Sequence, residues 1–194
     1  GKPTLRGARN FIRGFYPENT CIWFLDDDVS GLFRKKGSKV VPFTDGDRLS
    51  RFVFKLMFKY GTRLCGLYAV NNGFFMKNTV SVGLYFVVGN CYWCINGHDE
   101  FLMNTLDDKE DYERSIKYYL KYGKVLRLNN ITTKTNYYTE PGGMQEYREA
   151  SKMIKSGRYL IRKYPDLIME NKARKGERLE LRFKLQPGNF SVDL

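Results

Sequence analysis

The amino-acid sequence predicts an α/β protein in which a sheet is flanked by helices. Segments with the apolar spacing of helices alternate along the chain with short apolar runs typical of buried strands, a pattern shared by α/β and α+β folds. The chain has 194 residues, of which 42% are hydrophobic and 28% charged, and this is enough for one sizeable core. No internal repeat or linker is evident. We therefore expect one domain over residues 1–194.

In the N-terminal part, residues 9–13 predict a short helix, and residues 21–25 predict a buried strand because a short apolar run halts there abruptly. Segment 44–61 predicts a helix that begins at an aspartate and ends at Gly61. Its apolar residues recur at intervals of three and four, which places them on one helix face. This face consists of Leu49, Phe52, Val53, Leu56 and Tyr60.

The centre of the chain predicts strands around a second helix. Residues 63–70 have the composition of a strand, and residues 84–96 predict one long strand or two short ones broken near Gly89 and Asn90. Segment 106–123 carries the clearest helix signal, with an aspartate cap, one apolar face and a closing glycine.

The C-terminal part continues the alternation. Residues 124–135 predict a strand, residues 140–145 a turn, residues 144–157 a helix, and residues 177–185 a half-buried strand with alternating polarity. Within the single domain, we expect the motif-bearing core to span 1–145. A basic helix-and-strand extension would then span 146–194.

The chain is strongly basic, with a formal net charge of +12 and an isoelectric point near 9.5. A surplus of this size favours a polyanionic partner, although it also serves solubility. No apolar run approaches the roughly 20 residues of a membrane-spanning helix. The polar, basic start lacks a signal-peptide pattern, and the four cysteines lie in apolar runs typical of reduced thiols. We expect a cytoplasmic protein.

The segment CIWFLDDDV ends a buried strand in three carboxylates, Asp26, Asp27 and Asp28. Adjacent carboxylates repel one another and are costly there unless a cation binds them. Mg²⁺ and Mn²⁺ take oxygen ligands and share them with substrate phosphates. Alternate residues of an extended chain point the same way, so Asp26 and Asp28 are predicted to face one metal ion. The alternative is a solvated turn with helix-capping acids.

Two other segments suggest chemistry on a phosphate-bearing substrate. Arg6, Arg9 and Asn10 precede the acidic strand, and guanidinium groups bind diphosphate oxygens through paired hydrogen bonds. Glu110 and Asp111 lie in the first turn of a predicted helix, where the helix dipole favours ionised carboxylates. Such a carboxylate in a cleft can take a proton from an attacking hydroxyl. The alternative is that both acids only complement the dipole.

The order of these segments resembles a known family. RGARN, a strand ending in DDD, and EDYERSIKYYLKYGKVLR resemble the motifs of GT-A nucleotide-sugar glycosyltransferases. More narrowly, WFLDDDV with DDKEDYERS and EPGGM is similar to the TET-associated glycosyltransferases of bacteriophages. The resemblance implies metal-dependent, inverting transfer of a sugar from a nucleotide sugar, foremost a UDP-sugar such as UDP-glucose. The implied acceptor is DNA containing a hydroxymethylpyrimidine such as 5-hydroxymethylcytosine, in the host-cell cytoplasm if a phage encodes the chain.

By position, the resemblance implies a role for each motif residue. Asp26 and Asp28 would hold Mn²⁺ or Mg²⁺, and Asp111 would be the catalytic base with Glu110 beside it. The expected contacts to the donor, or to the sugar that it transfers, are Arg6, Arg9, Asn10, Asp27, Gly142 and Gly143. Only 25 residues precede Asp26. The resemblance therefore implies a GT-A-like mixed sheet that lacks part of the N-terminal nucleotide-binding half.

Two other functions stay open, namely a GT-A enzyme acting on a glycan or lipid, and a non-catalytic, basic nucleic-acid-binding module. A DNA partner predicts phosphate contacts from exposed basic side chains. The candidates are Arg34, Lys35, Lys36, Arg158, Arg162, Lys163, Lys172, Arg174, Lys175 and Arg178. In addition, the loop 71–78, NNGFFMKN, is expected to expose two phenylalanines toward the acceptor.

Overall fold

The computed structural model of the chain describes residues 4–135, 150–173 and 179–194. They form an α/β fold, as predicted, with a mixed, curled sheet flanked by helices. The helices are α1 (Leu5–Phe15), α2 (Gly46–Tyr60), α3 (Glu110–Tyr122) and α4 (Ala150–Lys163). The strands are β1 (Cys21–Leu25), β2 (Val29–Lys36), β3 (Lys39–Phe43), β4 (Leu64–Tyr68), β5 (Thr79–Gly83), β6 (Cys91–Ile95), β7 (Val125–Thr135), β8 (Ile168–Glu170), β9 (Leu181–Phe183) and β10 (Phe190–Asp193).

The main sheet has the strand order β1-β6-β4-β7-β2-β3. Strands β1 and β4 are both antiparallel to β6 and so run in the same direction, and β7 is parallel to β4. The carboxyl ends of β1 and β4 therefore lie at one edge of the sheet. Strand β7 is long enough to pair with β5 through its first half and with β2 through its second half.

The sheet curls where β1 passes into β2. Only Asp26–Asp28 join these two strands, although β6, β4 and β7 separate them in the sheet order. The ladder between β4 and β6 ends at Gly66, and beyond it Asn90 donates from Nδ2 to the Thr133 Oγ1 of β7 at 3.1 Å. The residue that precedes β6 thus contacts the second half of β7, and three residues suffice for the crossing.

The two faces of the sheet are covered by different helices. On one face, α2 buries Leu49, Val53, Leu56 and Met57 against the strands, at the spacing expected of one helix face. The other face packs against α1 and α3, with Ile12 and Tyr118 in the same apolar cluster as Phe24 and Tyr92. Along β1, Ile22 and Phe24 pack into the cluster on this second face and Trp23 packs against the cluster under α2. This is because successive strand residues point to opposite faces.

The C-terminal segments add to both parts of this architecture. Helix α4 buries Leu160 with Ile116 of α3 and with Ile168 and Leu181 of the small β8–β9 sheet. Strand β10 pairs with β5 and so joins the main sheet. Within the described residues, no helix is long and apolar enough to cross a membrane.

Several predicted elements differ from those observed. Residues 84–88 are not a strand, although they are apolar, because the chain leaves the sheet after β5 and returns at β6. The sequence analysis missed the β2–β3 hairpin, whose lysine-rich strands lack a continuous apolar run. The predicted turn at 140–145 and the start of the predicted helix at 144–157 lie outside the described residues.

We expect substitution of Gly66 to destabilise the sheet. A Cβ there would lie 2.6 Å from Cγ1 and 3.1 Å from Cα of Val87, so backbone would have to move. Gly66→Ala should lower the free energy of unfolding by about 1–3 kcal/mol in urea titrations. The matched control is Gly14→Ala in α1, where nothing lies within 4 Å of the new Cβ. It should be neutral or stabilising by up to about 1 kcal/mol, and equal losses in both variants would contradict the prediction.

Candidate active site

Helix α1 holds the loop that precedes α3. Its first turn is capped by Thr4, whose hydroxyl accepts from the Gly7 N–H at 3.1 Å. Asn10 makes paired bonds to the backbone of Asn104, donating to its carbonyl and accepting from its N–H, each at 2.9 Å. Arg13 donates to the carbonyls of Leu102 and Gly97. The polar face of α1 is thus occupied by the protein itself.

Arg6 lies at the rim of this contact. Its Nη1 donates to the Thr105 carbonyl at 2.9 Å, and its Nη2 lies 3.5 Å from the Asp107 carboxylate. Its side chain remains 42% exposed. Among the α1 residues predicted to contact a donor, Arg6 is therefore the one most accessible to a ligand.

Arg9 connects the two acidic segments. It is 3% exposed, and its Nη2 donates to Oδ1 of Asp26 at 3.0 Å and to the Gly89 carbonyl at 2.8 Å. Its Nη1 lies 3.1 Å from Oε1 of Glu110. Burial alone would lower the pKa of Arg9, but Tyr92 and the two carboxylates raise it above its usual value. The guanidinium thus stays charged and joins the end of β1 to the start of α3.

Both carboxylate oxygens of Glu110 are engaged within the protein. Oε1 pairs with Arg9, and Oε2 accepts from Nη1 of Arg114 at 2.5 Å and from Nδ2 of Asn104 at 3.1 Å. The side chain is 5% exposed. Gly89 allows this arrangement, because a Cβ at that position would lie 2.8 Å from Oε1. Glu110 is therefore well placed as a fixed charge and poorly placed as a proton acceptor.

Asp111 has the chemistry of a general base. It is half-buried, and its Oδ1 accepts from the Tyr112 N–H at 2.9 Å. Burial raises the pKa of Asp111 to about 6, with Glu110 adding to the rise and Arg114 opposing it. A carboxylate with a pKa near the working pH is ionised often enough to accept a proton and basic enough to hold it.

The three aspartates form a tight turn between β1 and β2. The Asp26 N–H donates to the Asn90 carbonyl at 2.9 Å, and the Val29 N–H donates to the Asp26 carbonyl at 3.2 Å. Asp26 and Asp28 are half-buried, whereas Asp27 is exposed. Burial raises the pKa of Asp26, Arg9 opposes the rise, and Asp28 and Glu110 add to it. The carboxylates of both segments therefore share one electrostatic environment.

This arrangement permits one mode of divalent-cation binding. No group of three or more His, Cys, Asp or Glu side chains with metal-binding geometry occurs in the described ranges. An ion held entirely by these side chains is thus not supported there. Mg²⁺ can also keep several waters and take one or two carboxylates together with substrate phosphates. Asp26 and Asp28 are the carboxylates of the turn that could supply these ligands, and Arg9 contacts both oxygens of Asp26.

The predicted site residues therefore have different surroundings. Arg9, Asp26 and Glu110 meet directly, and Asn10 supports them through Asn104. Arg9 and Asn10 make their hydrogen bonds to the protein itself, whereas the sequence predicted contacts to the donor. The predicted turn glycines Gly142 and Gly143 lie outside the described residues.

Sequence reasoning missed three residues that build this site. Arg114 was detectable, because it follows Glu110 by four residues on one helix face. Tyr92, which packs under the Arg114 guanidinium at 3.8 Å from its ring centroid, resembles any core aromatic in a strand. Asn104 lies in a polar loop and carries no signal of its own.

Three of the four cysteines are buried thiols. Burial raises the pKa of Cys91 to about 12 and that of Cys94 to about 11, and it also raises the pKa of Cys65. The thiolate is the reactive form, so these buried thiols are unreactive near neutral pH. Cys21, which the sequence predicted to be buried, is exposed and forms no disulfide.

We expect Arg9→Met to destabilise the protein strongly, because it leaves two carboxylates close together without their shared cation. The loss should be about 3–5 kcal/mol in urea titrations at pH 7. Arg6→Met, which removes an exposed cation from the same helix, should cost no more than about 1 kcal/mol.

A double-mutant cycle identifies the cause. Glu110→Gln should lower the free energy of unfolding less in the Arg9→Met background than in the wild type. In that background, Glu110→Gln neutralises one of the two carboxylates that have lost their shared cation. Strict additivity would mean that the two residues do not interact.

Comparisons with known proteins identify no relative of the chain. No protein-family model, no curated protein and no solved structure matches the chain.

Proposed function

We propose that the protein is a metal-dependent glycosyltransferase that moves a sugar from a nucleotide-sugar donor to a hydroxymethylpyrimidine in DNA. The observation that carries the proposal is the convergence of two acidic segments on Arg9. Asp26, at the end of β1, and Glu110, at the start of α3, are far apart in sequence but bind the same guanidinium. Such a cluster, at the carboxyl end of a strand, is where ligands bind in open α/β sheets.

The acidic turn would receive the donor. Asp26 and Asp28 would hold Mn²⁺ or Mg²⁺ together with the diphosphate, and the ion would supply Lewis-acid stabilisation of the leaving group. Arg6 is the exposed cation of α1 and is the candidate for a direct contact to the diphosphate. Arg9 contributes indirectly, since it fixes the position of Asp26. A UDP-sugar is the donor implied by the family resemblance.

Asp111 would activate the acceptor. In the proposed step, the acceptor hydroxyl attacks the anomeric carbon, the bond from that carbon to the diphosphate oxygen breaks, and the hydroxyl proton passes to Asp111. Glu110 assists without transferring a proton, because its nearby negative charge raises the proton affinity of Asp111. The two adjacent acids thus have separate roles, one as base and one as fixed charge.

DNA as the acceptor is supported by charge. The formal net charge of +12 favours a polyanion, and the contacts that neutralise phosphates make such binding strongly salt-dependent. The hydroxymethyl group on the base supplies the hydroxyl that the reaction needs.

One observation favours a second candidate, a non-catalytic nucleic-acid-binding module. Arg9 and Asn10, which the family resemblance assigns to the donor, spend their hydrogen bonds on the protein. In such a module the acids would be purely structural, and DNA would bind without any donor being consumed.

The two candidates are separated by a transfer assay. The protein is incubated with Mn²⁺, a panel of nucleotide sugars, and DNA containing 5-hydroxymethylcytosine or 5-hydroxymethyluracil, and the digested nucleosides are analysed by mass spectrometry. We expect a hexose adduct, reduced about 10²–10⁴-fold by Asp111→Asn because the base is lost. Asp28→Asn should also reduce the adduct, whereas Asp47→Asn, an exposed acid of α2, should leave it unchanged. DNA binding without an adduct from any donor would favour the second candidate.

The raised pKa of Asp111 predicts opposite pH trends for activity and stability. The transfer rate should rise as pH increases through about 6, because only the ionised base accepts a proton. The folded protein favours protonated Asp111, so the stability from this group is present below the unfolded pKa of about 3.9. It is lost as pH rises through the folded pKa.

Asp111→Asn should therefore stabilise the protein by about 1–3 kcal/mol at pH 8, and the gain should vanish below about pH 4. Urea titrations at both pH values would test this. A variant that is destabilised at pH 8 would contradict the raised pKa.

A further inference from the structure

The loop after β4, residues 70–78, presents two aromatic rings to solvent; we call it the aromatic loop. Phe74 is 85% exposed and Phe75 is 55% exposed, with ring centroids 5.0 Å apart and nearly perpendicular planes. Asn72 fixes the backbone beneath them. Its Oδ1 accepts from the Phe74 N–H, and its carbonyl oxygen accepts from the Phe75 N–H. Met76 is buried and anchors the loop. The rings are therefore held outward.

The aromatic loop packs against the β2–β3 hairpin. Gly73 is buried there, and a Cβ on it would lie 2.6 Å from the Ser38 carbonyl oxygen in the hairpin turn. The Lys35 ammonium donates to the Gly73 carbonyl, and the Lys77 N–H donates to the carbonyl of Asn129 at 3.1 Å. Loop and hairpin thus form one continuous surface.

The segments that meet here are rich in basic residues. The hairpin segment 29–43, the aromatic loop and residues 131–135 of β7 together contain six basic residues and no carboxylate. The basic residues are Arg34, Lys35, Lys36, Lys39, Lys77 and Lys134. Across the described part of the chain, none of the six forms a salt bridge. Strand alternation places Lys35, Val40 and Lys134 on the face that carries the aromatic loop, and Arg34, Lys36 and Lys39 on the other face. On the loop's face, the charges of Lys77 and Lys134 are therefore available to an anionic partner.

The surface also continues from the candidate active site. Strand β2 begins directly after Asp28, and the aromatic loop follows β4, whose carboxyl end lies at the same sheet edge as that of β1. Seven residues separate Asp28 from Lys35, which is about 23 Å along an extended strand.

We propose that the aromatic loop and the β2–β3 hairpin bind an unpaired stretch of the acceptor DNA beside the base that is modified. Exposed rings amid cations are the arrangement by which proteins stack bases and neutralise the backbone of single strands. Duplex DNA would use the cations but would offer the rings no free base face. A base that reacts at an enzyme site must leave its stack, so unpaired neighbours are expected there. The inference rests on the proposed function for the identity of the acceptor.

Binding can be measured without the reaction. Fluorescence anisotropy would follow labelled oligothymidylate of about 20 nucleotides, longer than typical single-strand sites, and a duplex of equal length, with neither metal nor nucleotide sugar present. We expect Phe74→Ala and Phe75→Ala each to weaken single-strand binding about 5- to 100-fold. Duplex binding should change less than about twofold. Phe58→Ala is the matched control, since Phe58 is 65% exposed on α2 and belongs to neither the aromatic loop nor the hairpin.

The cations are tested through salt dependence. Lys77→Gln and Lys134→Gln, at exposed positions on the loop's face, should each lower the slope of log affinity against log salt by about 0.7 for the single strand. Wild-type affinity in both phenylalanine variants, or equal losses for single strand and duplex, would overturn the proposal.

This experiment and the transfer assay fail independently. Ring-dependent single-strand binding without sugar transfer would retain the surface and reject the glycosyltransferase. Transfer to DNA with unchanged single-strand affinity in the phenylalanine variants would retain the enzyme and reject the surface.

Discussion

The charge on Arg9 is the interaction on which the rest of the candidate site depends. A buried guanidinium with carboxylates on two sides and a backbone carbonyl on a third is stable only if all three partners are present. The acidic turn, the start of α3 and the Gly89 backbone must therefore adopt their positions together. The cation also moderates the repulsion between Asp26 and Glu110, which would otherwise favour protonation of one of them.

Around Arg9, some polar side chains hold Glu110 and its neighbouring loop in place, and others are not committed to such contacts. Glu110 accepts hydrogen bonds from Asn104 and Arg114, and Asn10 in turn binds the Asn104 backbone. Asp111 lies one residue further along α3, where burial and the neighbouring Glu110 charge raise its pKa more than Arg114 lowers it. Adjacent residues thus acquire opposite chemistry from their surroundings, a division found where catalytic acids and bases are tuned by burial.

The sequence predicted the parts whose signals are local. The faces of α2 and α3 follow from apolar spacing, and β1 follows from a short apolar run. The acids were recognised because three charges after a buried strand are unusual. The bonding of Arg9 was not predictable, because its partners Asp26, Gly89 and Glu110 lie far along the chain and only the fold brings them together. The β2–β3 hairpin was missed because its lysines resemble those of a solvated loop.

The crossing from β1 to β2 is only three residues long and leads into an irregular pairing with β7 at Val29–Gly31, and this restricts how the segment can vary. An inserted residue would advance β2 by one position along β7, and every side chain of β2 would then turn to the opposite face of the sheet. Lys35 would face away from the Gly73 carbonyl. The length of the acidic turn is thus fixed by the register of the hairpin. Homologous chains should differ here by substitution and keep the same number of residues.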